Sequence, residues 1–174
     1  KQNMMMSAVM LRWDAKNKMM YYTGAWHEFI LVYKSKEQKV YKVKTWWVAL
    51  GMVKDSSKIL KEQQIAFEPD DVIVLYTDGI SEARYRSDQE GVLFWVDRII
   101  ESIIKCGRRD AATIFQQITI DLSAFMGYKH KQYDDITLVV VQYVPTSTTW
   151  ATTTTLPDSI NFSHVTEWNW WRQP

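Results

Sequence analysis

Apolar positions near the start of the chain follow one another without alternation, the pattern of a strand covered on both faces. Ala8, Met10 and Trp13 around Val9 and Leu11 predict a largely buried strand from Ser7 to Asp14. Lys16-Asn17-Lys18 is a polar turn, and Met19 to Thr23 is the returning strand of a hairpin. After Gly24, the β-rich run His27 to Tyr33, a charged turn from Lys34 to Lys39, and Val40, Tyr41 and Val43 predict a second strand pair. Lys58 to Phe67 alternates Ile59, Leu60, Ile65 and Phe67 with charged residues, and Pro69-Asp70 marks a turn. Val72 to Tyr76 and Ile136 to Val144 are apolar on both faces, as central strands are.

Between those two strands the period changes. A polar loop from Ser81 to Glu90 leads into Val96, Ile99, Ile100, Ile103 and Ile104 at helical spacing, with Gly107 as the stop. Asp110 is placed to cap a second helix whose stripe is Ala111, Ile114, Phe115, Ile118, Leu122 and Phe125, ended by Gly127. Helical stripes of this kind need a sheet to cover, so the fold class is α+β. Pro145 ends the last strand, and the Thr- and Ser-rich stretch from Thr146 to Thr155 predicts a flexible linker or tail over 145–174.

Composition narrows the function. The chain has 174 residues, enough for one domain. Lys+Arg 21 against Asp+Glu 20 leaves no bulk field to draw the chain onto nucleic acid or an anionic membrane. The single cysteine, Cys106, excludes an intramolecular disulfide framework and a Cys-rich zinc module; it is expected to be a small buried apolar group. No apolar run approaches the roughly 20 residues that a membrane-spanning helix takes. A start at Lys1, with neither initiator Met nor leader pattern, is read as that of a fragment.

Carboxylates are the candidate chemistry. Asp78 follows one central strand and precedes Gly79, while Asp134 and Asp135 open the other. If the two strands pair antiparallel, the end of one lies beside the start of the other, and the acids meet at one rim of the sheet. Acids so placed are ligands for hard divalent cations such as Mg²⁺ or Mn²⁺. Consecutive strand residues face opposite sides, so only one of Asp134 and Asp135 shares the face of Asp78, and the other is expected to cap the turn. The structural alternative is a simple turn at Asp78-Gly79 and a loop-to-strand junction at Asp134-Asp135.

The stretch Asp70 to Ala83 (DDVIVLYTDGISEA), followed by Asp134 to Val141 (DDITLVVV), resembles the signature of the SpoIIE-type serine/threonine phosphatases. These belong to the metal-dependent protein phosphatase (PPM) superfamily. Met6 to Asp14, Met20 to His27, Val48 to Gly51, Gly91 to Phe94 and the two helices fall in that family's order, so the resemblance extends over about residues 4 to 143. It implies part of an α-β-β-α sandwich over 1–144, with two antiparallel sheets flanked by helices. It also implies two or more Mn²⁺ or Mg²⁺ ions held in part by Asp78 and Asp134, with Asp135 and Gly79 behind them. The activity implied is hydrolysis of phosphoserine or phosphothreonine by a metal-activated water. The implied location of the chain is the cytoplasm, with a membrane tether open to the full-length protein; the implied substrate is a bacterial signalling phosphoprotein, typically an anti-sigma-factor antagonist of the STAS type, and the implied upstream partner is a sensor or receiver region. Arg84, Arg86 and Lys129 flank the rim as candidate substrate contacts, with a solvated loop as the alternative. His27 matches a family histidine and is read as packed or hydrogen-bonded.

The chain departs from the family in two ways. An early-strand Asp and an Asp-Val-x-Gly-His-Gly turn, which carry further metal ligands in the family, are not found in it. A non-catalytic, phosphatase-like binding module is therefore the alternative function. Tryptophan also stands where the family usually has glycine, at Trp26, Trp46, Trp47 and Trp95. With Gly 6 of 174 against a usual share of roughly 7%, several of these are expected to be glycine in the natural protein.

Overall fold

The computed structural model describes residues 4–85, 91–127 and 132–145 together with two short strands at 160–161 and 165–168. Strand β1 (Ala8–Asp14) and β2 (Met19–Ala25) form the expected hairpin. Its turn is closed by the Asp14 carboxylate, which accepts from the backbone and side-chain nitrogens of Asn17 at 3.0 and 2.8 Å. The far edge of β2 takes β5 (Gln63–Ala66), giving a three-stranded antiparallel sheet in the order β1-β2-β5. β1 is an edge strand, which corrects the expectation of a largely buried one: Val9, Leu11 and Trp13 pack inward while Met10 is 69% exposed. The alternating run from Lys58 becomes strand only at Gln63, because the amides of Ile59 and Leu60 turn back onto the Ser56 carbonyl at 3.0 and 2.8 Å.

The larger sheet is built on β3 (Ile30–Lys34), β4 (Lys39–Val43), β6 (Val72–Tyr76) and β7 (Ile136–Tyr143), antiparallel in the order β4-β3-β6-β7. Both apolar strands are central in it. β8 (Ile160–Asn161) and β9 (Val165–Trp168) pair with the other edge of β7. Part of the expected linker or tail is therefore strand; the rest from residue 146 on lies outside the described residues.

Strand alternation sorts the side chains into two cores. Leu31, Tyr33, Val72, Val74, Tyr76, Leu138 and Val140 face helices α2 (Trp95–Cys106) and α3 (Ala111–Met126). Ile30, Val32, Ile73, Val141 and Tyr143 face the small sheet, where they meet Met20, Tyr22, Ile65 and Phe67. The layers are a helix pair, a sheet and a second sheet, as part of an α-β-β-α sandwich requires. Asp110 caps α3 as expected, accepting from the Thr113 amide at 2.7 Å. In α2 the buried stripe is narrower than its spacing predicts, and Ile104 is 50% exposed. Cys106 is half-buried, its thiol lying 3.9 Å from the Thr113 carbonyl oxygen, and burial pushes the thiol pKa up.

Backbone conformation separates the tryptophans. Trp26 and Trp95 hold φ of 44° and 56°, in the left-handed region where a bulky side chain is an outlier. Trp46 and Trp47 have no positive φ, so nothing in their backbone conformation calls for glycine.

Candidate metal centre

The end of β6 is locked to the start of β7. Tyr76 stands opposite Leu138, and one residue on, the Thr77 amide donates to the Thr137 carbonyl at 3.1 Å. The Thr77 hydroxyl accepts from the Thr137 amide at 2.9 Å and donates to the Asp135 carbonyl at 3.0 Å. The chain then turns into α1 (Asp78–Ser81), a one-turn helix where the sequence predicts a turn followed by loop. Gly79, buried in that turn, lies against the segment that carries the other acids. A Cβ built on it would stand 2.3 Å from the Asp135 carbonyl oxygen and 3.4 Å from that of Asp134. Glycine is needed here for close backbone approach, which is how this residue supports the site.

The antiparallel pairing therefore brings Asp78 and the Asp134-Asp135 pair to one rim. All three acids are exposed, so none requires neutralisation for the chain to fold. Asp78 Oδ1 accepts from the Gly79 amide at 3.0 Å, and Asp134 Oδ1 accepts from the Asp135 amide at 2.8 Å. The turn is thus capped by Asp134 itself. Among the described residues no lysine or arginine pairs with Asp78, Asp134 or Asp135. Exposed carboxylates with unused lone pairs are the right donor type for a hard cation. As a set they are incomplete, since no group of three or more His, Cys, Asp or Glu side chains that could hold a metal is found among the described residues.

Of the three candidate substrate contacts, Arg84 is exposed, its backbone bridged to Leu93 and its guanidinium 4.5 Å from the centre of the Tyr133 ring. That contact ties the segment after α1 to the residue preceding Asp134. Arg86 and Lys129 lie outside the described residues.

A cleft of about 290 Å³ opens beside Asp78, lined also by Thr77, Trp26, His27, Glu28 and Met6. His27 and Glu28 connect β2 to β3, and the Thr45 hydroxyl fixes that connection by accepting from the His27 amide at 3.1 Å and donating to its carbonyl at 2.6 Å. The imidazole Nε2 is buried with no partner among the described residues. Of the two readings of His27, packed or hydrogen-bonded, the ring fits the packed one, and the hydrogen bonds described for this residue run through its backbone. Burial lowers the His27 pKa against the opposing pull of Asp78. Burial raises that of Glu28, and the charges of Asp78 and then Glu82 raise it further. Glu28 is the site residue that sequence reasoning missed; its only signal is a polar pair, His27-Glu28, opening an otherwise apolar strand.

The chain matches the family model described as Stage II sporulation protein E (SpoIIE) over residues 1–144. No curated protein sequence matches it. Among solved structures it is similar to the SiaA-PP2C domain of Pseudomonas aeruginosa, with 21% identity and a TM-score of 0.64, covering 78% of this chain and 51% of that one. It is also similar to the phosphatase domain of the cell fate determinant SpoIIE from Bacillus subtilis, presoaked with Mn, with 12% identity, a TM-score of 0.55 and 83% and 59% coverage. A second structure of that domain gives 12% identity, a TM-score of 0.54 and 83% and 61% coverage. The chain thus spans little more than half the length of these chains, and at such identities the likeness establishes the fold. With the family model matching 1–144 of 174 residues, the chain belongs to the SpoIIE family.

Proposed function

We propose that this chain forms the Asp78/Asp134 side of a metal-dependent protein serine/threonine phosphatase, whose metal site is completed by ligands outside the described residues. The observation that carries this reading is the β6–β7 register, which sets Asp78 and Asp134 at one rim with Gly79 pressed against the backbone between them. Asp78 and Asp134 would hold Mn²⁺ or Mg²⁺, in line with the Mn-presoaked relative. When bound, such ions supply an activated water and stabilise the attacking and leaving oxygens of a phosphoryl group. The chain's own part is positional. The Thr77 hydroxyl ties the two strand ends, Asp135 stands on the same junction, and Arg84 supplies a cation beside the rim for a substrate phosphate. The substrate proposed is a bacterial signalling phosphoprotein, such as a STAS-type anti-sigma-factor antagonist, met in the cytoplasm, with a sensor or receiver region upstream of this chain.

Thermal unfolding with and without Mn²⁺ tests the metal site in the parent and in Asp78→Asn and Asp134→Asn. A cation at 100 times its dissociation constant stabilises the folded state by about 2.7 kcal/mol, which is several degrees for a domain of this size. A shift in the parent that both variants lose is the expected outcome. No shift in the parent is what both a half-site without its further ligands and the second reading, a phosphatase-like binding module, predict, and the same measurement on the complete domain then decides between them.

A further inference from the structure

Next to the cleft of Asp78 lies a groove of about 420 Å³ whose walls are aromatic, formed by Trp26, Phe29, Trp46 and Trp47. Its volume is that of a small-molecule pocket, roughly 300–1,000 Å³. The walls are held from behind. The Trp26 amide donates to the Trp46 carbonyl at 2.7 Å, the Trp46 indole N–H donates to the Lys61 carbonyl at 3.4 Å, and Phe29 packs against the core beneath the helices. Trp47 is 72% exposed and has no positive φ, so its ring is open to a ligand and sits on unstrained backbone. Two charged groups share the lining, the Glu28 carboxylate and the Lys44 ammonium, and neither has an ion-pair partner among the described residues. Asp78 and Glu82 add like charge beside Glu28, so a cation is what that end lacks. The Thr45 hydroxyl is already engaged on both sides by the His27 backbone, at 3.1 and 2.6 Å.

We propose that this groove binds a betaine, a small zwitterion that joins a quaternary ammonium to a carboxylate. The rings select the cation. A methylated ammonium is attracted to the faces of Trp and Phe, and it has no N–H in need of an acceptor, which suits walls whose Thr45 hydroxyl and Trp46 indole N–H are both engaged within the chain. A primary ammonium carries three donors, and those left unpaired against the rings cost free energy. Glu28 adds the counter-charge on one side, and Lys44, on its flexible stem, reaches the ligand's carboxylate on the other. One negative and one positive group in the lining match a ligand of both signs, which a plain anion or a plain cation is not. No metal ion and no phosphate takes part, so the inference is independent of the phosphatase reading.

The test is calorimetric titration of the full chain, in buffer containing EDTA and at constant ionic strength, with three probes. These are glycine betaine; the tert-butylacetate anion, in which carbon replaces the quaternary nitrogen; and choline, which keeps the cation and lacks the carboxylate. Glycine betaine is expected to bind, and tert-butylacetate, of the same shape, to bind about tenfold more weakly, the factor that a desolvated cation–π contact supplies. Choline is expected to bind severalfold more weakly than glycine betaine. Trp47→Ala and Glu28→Gln are each expected to weaken glycine betaine severalfold, and Lys44→Ala to weaken it without weakening choline. Trp47 and Lys44 are exposed and Glu28→Gln removes a repelled carboxylate, so thermal melts are expected to show all three variants folded, and a loss of binding then reports on the groove. No saturable binding of glycine betaine, or equal binding of tert-butylacetate, would overturn the proposal. Binding that survives both Trp47→Ala and Glu28→Gln would overturn the assignment to this groove. Choline bound as tightly as glycine betaine would overturn the zwitterion and the part given to Lys44.

Discussion

Gly79 and Glu28 bear on the site through opposite means, one by having no side chain and the other by having a charged one. At Gly79 the obstacle to any substitution is backbone, the Asp135 carbonyl oxygen 2.3 Å from where a Cβ would be. Gly79→Ala must push β7 away from α1, at a cost of about 1–3 kcal/mol, measurable by chemical denaturation. The same variant is expected to weaken any Mn²⁺-dependent thermal shift, because the segment it displaces carries Asp134. At Glu28 the folded state raises the carboxyl pKa through burial, Asp78 and Glu82. A raised carboxyl favours folding when protonated, and this advantage is lost as pH rises from the unfolded value of about 4.3 through the folded one. Glu28→Gln should therefore raise the melting temperature of the metal-free chain at pH 7 and change nothing below about pH 4, where both forms are neutral. A pH series of thermal melts on the two proteins checks the sign. Asp78 and the Asp134-Asp135 pair were legible as chemistry because strand ends marked by acids are visible in a pattern of apolar runs. Glu28 was not, because its partners lie some fifty residues away in sequence and meet it only across the cleft.

The elements followed the sequence closely wherever local rules governed them. The Asp110 cap, both helices and the two central strands arise from spacing, capping chemistry and continuous apolar runs, none of which needs distant contacts to be recognised. The Asp110 carboxylate is held below the usual range by the Thr113 amide that it caps, as a working N-cap requires. Asp110→Ala is expected to cost about 0.5–2 kcal/mol, seen as a lower urea midpoint with unchanged slope. Elements set by neighbours were harder to read. α1 is a single turn with no stripe of its own, and it forms where the Thr77 hydroxyl and the β7 backbone stop the strand from continuing. β1 has the apolar content of a buried strand, but only the face of Val9, Leu11 and Trp13 meets the core, and Met10 on the opposite face is left in solvent. The strand expected from Lys58 starts late because the Ser56 carbonyl captures its first amides.

Across the whole molecule, the large sheet is fastened at the end opposite the site by a buried carboxylate. Asp71 is fully buried; its Oδ1 accepts from the Ser35 amide and its Oδ2 from the Glu68 amide, each at 2.9 Å, and it pairs with the Lys34 ammonium. Its backbone carbonyl accepts from the Tyr143 amide at 3.1 Å, which ties β6 to the end of β7. The aromatic contacts of Trp13, Phe67 and Tyr143, with ring centres 5.0 to 6.1 Å apart, close the space between the two sheets beside it. Asp71→Ala leaves two amides and an ammonium without their acceptor, and is expected to cost about 3–5 kcal/mol. Equilibrium unfolding measures that loss, and Asp71→Asn should recover part of it by keeping an acceptor for one of the amides.

The sequence by itself determined the fold class, the two helices, the central strands and the identity of two acids at their ends, because these depend on periodicity and on residues adjacent along the chain. Only the tertiary structure decided that those acids are exposed, that the Asp134 carboxylate accepts from the Asp135 amide, and that a side chain at Gly79 would meet the Asp135 carbonyl. It also decided that His27 and Glu28 face Asp78 across one cleft, and that Trp26 and Trp95, but not Trp46 and Trp47, occupy left-handed backbone. The reason is common to all of these. Burial, register and backbone conformation are fixed by which strand lies beside which, and that pairing joins residues whose separation in sequence carries no local signal.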